Sequence, residues 1–212
     1  MTDLELRVVL IAALIPSVIF HEVSHGAVAY AFGDDTAKRA GRLTLNPIPH
    51  IDPFGSVILP AILAFTSFGA FGYAKPVPVN PRQMRNPRNH SLLVSLAGPA
   101  TNIVLAILAV FVARFLEVGS SAWQVAVIVA FINVVLAVFN MLPVPPLDGS
   151  ALIERILPRH WWPAWLRIRQ YSMGVLILVV LLAGSYLGSL FQPFLELVLD
   201  VADGSTLGAL GL

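Results

Sequence analysis

Two histidines and a glutamate stand in a stretch of sequence that is otherwise fit for lipid. Residues 20–30 read FHEVSHGAVAY and follow the apolar run VVLIAALIPSVI. On a helix of 3.6 residues per turn, His21 and His25 project from one face, about 6 Å apart along the axis, so one metal ion can take both. Glu22 lies about 100° round from His21. That is too displaced for an equivalent third ligand but near enough to meet a water at the metal, which is a general base's position. Zinc suits two imidazoles plus a carboxylate, and a fourth position left to water brings that water's pKa to about 7. Peptide hydrolysis is the usual chemistry of this pattern. The plain alternative is a chance pair of packed histidines. Against it, an ionisable Glu22 in a bilayer costs about 2.5 kcal/mol or more on insertion scales, which calls for a functional reason.

The sequence has no cysteine, so no thiolate can complete such a site and the third ligand must be a carboxylate. Outside the first helix and the chain ends, the acids are Asp34, Asp35, Asp52, Glu117, Asp148, Glu154, Glu196 and Asp200. Asp34 and Asp35 follow the motif too closely to fold back readily, and Glu117 falls at the opposite end of the predicted topology. Asp148 stands out. It lies in NMLPVPPLDG, where three prolines remove backbone donors and stiffen the chain, and Gly149 permits a close turn. An ordinary helix-capping aspartate before SALIERIL is the alternative for Asp148.

These residues need elements to hold them, and composition says what kind. Of 212 residues 57% are hydrophobic and 12% charged, with net charge +1, against about 25% charged in ordinary soluble domains. Mean hydropathy is +0.81. This is a membrane protein composition, and it carries no nucleic-acid signal. Uncharged stretches lie between Arg7 and Glu22, Asp52 and Lys75, Arg88 and Arg114, Glu117 and Asp148, and Arg169 and Glu196. A spanning helix needs about 20 apolar residues, so the expected fold is an all-α polytopic membrane protein with four to five transmembrane helices, read as one domain over residues 1–212. The first helix is expected from about Leu4 to Phe32, retained as a helix and not a signal peptide because its polar start has no basic n-region. Others are expected near Ser91–Phe115, Ala122–Leu142 and Ser172–Leu190. A short interfacial helix and a loose tail are expected after these, from Glu196 and Asp200 on one face. Trp161, Trp162 and Trp165 suit an interfacial belt.

Basic residues cluster after the first helix, before the third segment and after the fourth, which puts all three places on the cytoplasmic side. The segment Phe54–Tyr73 must then enter and leave on one side, as a re-entrant or β-hairpin element within residues 41–73. An ordinary full span is the alternative. His50 and Asp52 read as a turn with side-chain bonding and not a second metal site. Ser24, Asn102, Asn133 and Asn140 could line a water path if they face inward.

Three motifs in order, HEVSH at His21–His25, GPATN at Gly98–Asn102 and NMLPVPPLDG at Asn140–Gly149, resemble those of the site-2 proteases, intramembrane zinc metalloproteases. The similarity spans roughly Pro16 to Leu157 and is to the compact bacterial type without a PDZ module. The resemblance implies that His21, His25 and Asp148 hold one Zn2+ and that Glu22 activates the water. It further implies that the site lies in the cell membrane toward the cytoplasmic face. The substrate would be a single-span membrane protein or peptide, in a groove lined by the strands and hairpin between Gly41 and Tyr73. Asn102 and Asn140 would contact ligand or substrate backbone, although close packing alone could account for the Gly98–Pro99 pair. A zinc or proton transporter and a membrane scaffold are the rival classes.

Overall fold

The computed structural model describes residues 1–58 and 73–204. Helix α1 (Asp3–Ala31) starts at a capping box, in which the Thr2 hydroxyl accepts the Glu5 amide while the Glu5 carboxylate accepts the Thr2 amide. It stops just before Gly33, whose φ of +104° is a backbone state that side chains with a Cβ resist. A short helix α2 (Thr36–Arg39) follows. Helix α3 (Pro87–Ala113) begins with Pro87 in its first turn and the Asn86 side chain accepting the Asn89 amide. Helix α4 (Ser121–Asn140) is capped by the Ser120 hydroxyl, which accepts the Trp123 amide. Helices α5 (Ser150–Ile156) and α6 (Trp162–Asp203) complete the chain described.

Three of these helices, α1, α3 and α4, are long and apolar enough to cross a membrane. They pack mutually, with α3 against both others. Their contacts run through small side chains such as Ala29, Ala106, Ala113, Ala130 and Ala137, which let helix backbones approach in lipid. The exterior is apolar, and the interior holds polar side chains beside the apolar ones. The largest wholly buried side chains are Asn102, Asn133, Asp34 and Pro99, while Leu4, Ile11, Ile107 and Phe111 are exposed. An apolar exterior over this length belongs against acyl chains, and the chain is a multi-pass membrane protein.

Helix α6 departs from expectation at its C-terminal end. In place of a separate interfacial helix, one helix continues to Asp203. Val198 and Ala202 are buried against Ala113, Ala126, Val127 and Ala130, and that packing carries the helix through Glu196 and Asp200. The start of α6 is tied to α5, where Glu154 accepts from the Trp165 indole (2.9 Å) and pairs with Arg169 (3.0 Å). Its end meets Arg114, which donates to the Val201 carbonyl (3.2 Å).

No strand occurs among the described residues, and residues 59–72 of the expected re-entrant segment lie outside them. The approach to that segment is built of turns. The Thr44 hydroxyl accepts the Asn46 amide, the Asn46 side chain accepts the Ile48 amide, and Ile48–His50 is a single 3-10 turn. Side chains that satisfy amides locally compete with a strand ladder. The Asp52 carboxylate accepts the Gly55 amide (2.7 Å), the expected turn bonding, and His50 bonds the Thr44 carbonyl (2.9 Å). The segment's flanks are joined: the Tyr73 amide donates to the Gly55 carbonyl (3.0 Å), and the Ser56 hydroxyl to that of Tyr73 (2.9 Å).

From Tyr73 a strap of non-helical chain leads to Asn80, and it is anchored through its backbone. Lys75 donates its amide to the His50 carbonyl, and Asn80 donates its amide to Asp34. Burial alone would raise the Asp34 pKa. Hydrogen bonds from the Thr36 hydroxyl and the Asn80 and Thr36 amides outweigh it and hold this carboxyl below its ordinary 3.8. A depressed folded pKa contributes stability that is present above the unfolded value and is lost as pH falls through the folded one. The melting temperature in detergent should therefore fall on acidification below the ordinary carboxylate value, and Asp34→Asn should be less stable at neutral pH and lack that component of the acid slope.

Candidate metal centre

Helix α1 presents His21 and His25 one turn apart, with rings edge-to-face at 4.7 Å between centroids. Asp148 reaches them from the loop after α4. That loop doubles back so that the Gly149 amide bonds the Asn140 carbonyl (2.7 Å), and a Cβ at residue 149 would strike the carbonyl groups of Met141 and Leu142. Only glycine closes this turn. Asp148 Oδ2 lies 3.0 Å from His21 Nε2 and 3.3 Å from His25 Nε2. One donor atom from each of the three residues lies within 4.8 Å of the others, a group that could hold a metal ion.

The protonation pattern fits a cation. His21 Nδ1 meets Asn102 Oδ1 at 2.5 Å, and His25 Nδ1 meets the Val94 carbonyl at 2.6 Å. A carbonyl oxygen can only accept, so each Nδ1 carries a proton, and in the neutral imidazole, the form that binds a metal, each Nε2 is left with a lone pair. Two lone pairs therefore face a carboxylate oxygen that is buried with no hydrogen-bond partner. Such convergence of acceptors is repulsive without a positive centre between them, and outer hydrogen bonds of this kind are the usual support of metal-bound histidine. Space is reserved there too. A Cβ on Gly98 of α3 would come within 2.5 Å of His21 Nε2 and of His25 Nε2.

Glu22 is half-buried beside this cluster and accepts the Val77 amide at Oε2 (2.8 Å). The strap bearing that amide is held close to α1 by two features absent from the sequence reading. Gly26 leaves room for it, since a Cβ there would meet Leu43 at 2.6 Å and Val77 at 3.0 Å. Arg42, counted at first only as a cytoplasmic charge, is 6% exposed and donates through Nη2 to the carbonyls of Lys75 and Pro76. Nothing in the residue type signals a buried arginine. A backbone donor such as Val77 leaves no trace in sequence either.

The two asparagines are not alike. Asn102 is wholly buried on the Nδ1 side of His21, away from Asp148, and its Oδ1 bonds that ring. Asn140 is half-buried, with its side chain donating to the Leu136 carbonyl of its own helix (2.9 Å). Two further groups expected along a water path are bonded within the protein. Ser24 donates to the His21 carbonyl, and Asn133 is wholly buried and bonded within the bundle.

A carboxylate and two imidazoles gathered on a membrane helix, with a glutamate next to the first histidine, define a metallopeptidase-type centre. The model of peptidase family M50 matches residues 9–120 and 114–183. Relatives that carry the name "putative zinc metalloprotease" include YwhC of Bacillus subtilis, 41% identical over 197 residues covering 86% of this chain and 85% of that protein. Another is Rip2 of Mycobacterium tuberculosis, 34% identical over 187 residues covering 87% and 70%. Zinc metalloprotease MJ0392 of Methanocaldococcus jannaschii is 22% identical over 179 residues, covering 83% of this chain and 42% of its own length. No solved structure matches the chain. The chain belongs to peptidase family M50, as a site-2-type zinc metalloprotease.

Proposed function

We propose that this protein is an intramembrane zinc metalloendopeptidase that hydrolyses a peptide bond in or near the transmembrane segment of a single-span membrane protein or peptide, as in regulated intramembrane proteolysis. The observation that carries the reading is the convergence of His21 Nε2, His25 Nε2 and Asp148 Oδ2 on an apolar helix next to Glu22. His21, His25 and Asp148 would hold the zinc, which when bound supplies Lewis acidity, acidifying a water and polarising the scissile carbonyl.

The remaining steps belong to the chain's own residues. Glu22 takes the proton from the attacking water and passes it to the leaving amine. The Val77 amide engages Oε2 of Glu22 and leaves Oε1 to work with. Gly26 and Arg42 keep that amide in place through the strap. The buried imidazoles and the small residues around Gly98 exclude bulk water from the rear of the site.

The same reading covers the membrane arrangement. Every lysine and arginine except Arg7 and Arg114 lies at the end of the bundle that holds the metal centre, which argues for that end facing the cytoplasm. Helix α6 makes a fourth crossing, from Glu154 at one end to Arg114 at the other. A substrate helix hides its carbonyls and must unwind locally before the site can act on it.

Metal removal tests the reading. Purified protein should contain one zinc per chain and cleave a single-span test substrate in detergent or vesicles. A strong chelator should abolish cleavage and zinc content together, and added zinc should restore both. Cleavage that persists in metal-free protein would refute it.

A further inference from the structure

Behind His21 the buried polar side chains form a chain of hydrogen bonds with a fixed direction. Asn133 of α4 donates from Nδ2 to the Val129 carbonyl (2.8 Å) and to the Ser17 hydroxyl (2.9 Å). The Ser17 hydroxyl in turn donates to the Ala13 carbonyl (2.7 Å). Both main-chain carbonyls can only accept, so they set the sense of everything between them. Nδ2 is the donating end of Asn133, and its Oδ1 accepts from Asn102 Nδ2 (2.7 Å). Asn102 Nδ2 also faces the Ser17 carbonyl at 3.4 Å. Only Oδ1 of Asn102 remains for His21 Nδ1, which must therefore bring the proton. Asn102 and Asn133 are 0% exposed and Ser17 4%, so no solvent competes for these bonds. Three helices each place a polar group where an apolar one would cost less, a pattern that in membranes marks function.

We infer that Ser17 and Asn133, neither of which touches the Asp148 cluster, are positioning residues that hold His21 in its Nδ1–H form and keep Nε2 bare for zinc. The inference rests on the reading of His21 as a zinc ligand. Removing the Asn133 amide frees Asn102 to turn over and offer Nδ2 to the imidazole. The ring then answers with a lone pair at Nδ1 and a proton at Nε2, where the proton opposes the cation.

The test pairs zinc affinity with a direct view of the ring. The full chain in detergent is titrated with zinc against a chromophoric chelator, and the zinc-free, 15N-histidine-labelled protein is followed by NMR, with His21 assigned from the His21→Asn spectrum. Asn133→Leu should raise the zinc Kd about 10- to 100-fold, the usual effect of losing an outer partner of a metal-bound histidine. It should also shift the His21 proton from Nδ1 toward Nε2. Ser17→Ala keeps the Val129 anchor and should move both readouts the same way by less; it decides the matter alone if Asn133→Leu does not fold. Folded variants that keep the wild-type Kd and the Nδ1 proton overturn the relay while leaving the metal site intact. Wild-type protein that binds no zinc, or His21→Asn that binds it as tightly as wild type, overturns the ligand reading itself and the relay with it.

Discussion

Glu22→Gln should lower kcat for a single-span substrate by about 10²- to 10⁴-fold, the range that a positioned general base contributes. Its zinc content should stay at the wild-type level. Both halves follow from where the side chain sits. Glu22 is one residue round the helix from His21 and is not among the atoms that could hold the metal. A glutamine has the same shape and can still meet the Val77 amide through its carbonyl oxygen, so the strap should remain seated. What it lacks is a basic oxygen to take the proton from water. Measuring metal by elemental analysis and turnover on the same preparation separates the two. A variant that keeps both zinc and full turnover would remove Glu22 from the mechanism. The result also discriminates against a transporter, which needs intramembrane ligands but has no use for a free carboxylate beside the first of them.

Gly98→Ala should abolish zinc binding, and with it cleavage, although it adds one methyl group on a helix that otherwise favours alanine. The new Cβ would lie 2.5 Å from His21 Cε1, His21 Nε2 and His25 Nε2. Those rings cannot retreat, because His21 is bonded behind to Asn102 and His25 to the Val94 carbonyl. Helix α3 must move off α1 instead. Overpacking of this kind costs about 1–3 kcal/mol, so a lower melting temperature should accompany the loss. Zinc bound at wild-type affinity by Gly98→Ala would mean that the glycine serves only helix approach.

Much of this centre is legible from the chain alone because its chemistry has few solutions. The i, i+4 spacing of His21 and His25 needs only a helix, and the apolar run before them supplies one. Asp148 follows from counting acids and asking which of them the topology returns to the same end. The fold brings Asp148 to 3.0 Å from His21. Four helix boundaries fall within a few residues of expectation because local signals mark them: Thr2, Gly33, Asn86 and Ser120. Other features have no local signature. The stretch from Gly41 reads in sequence as brief strands or an extended loop, and it runs as turns, with Pro53–Ile58 helical, where Thr44, Asn46 and Asp52 bond nearby amides. Glu196 and Asp200 suggested a helix at the interface, and the deciding fact was the packing of Val198 and Ala202 more than 70 residues distant from Ala126. Asn102 advertised itself as a polar group near a metal. Its direction of bonding, and so its role, depends on Val129 and Ala13, whose side chains say nothing.

The strap carries its own lesson for how such an enzyme can change over time. Pro76 and Pro78 have no N–H to give, so Val77 holds the one amide in that tripeptide, and it is the amide that meets Glu22. A partner made of main chain is indifferent to which side chain hangs from it. Any side chain that fits the buried place of residue 77 beside Gly26 leaves the proton acceptor aimed as before, while a third consecutive proline would disarm it in one step.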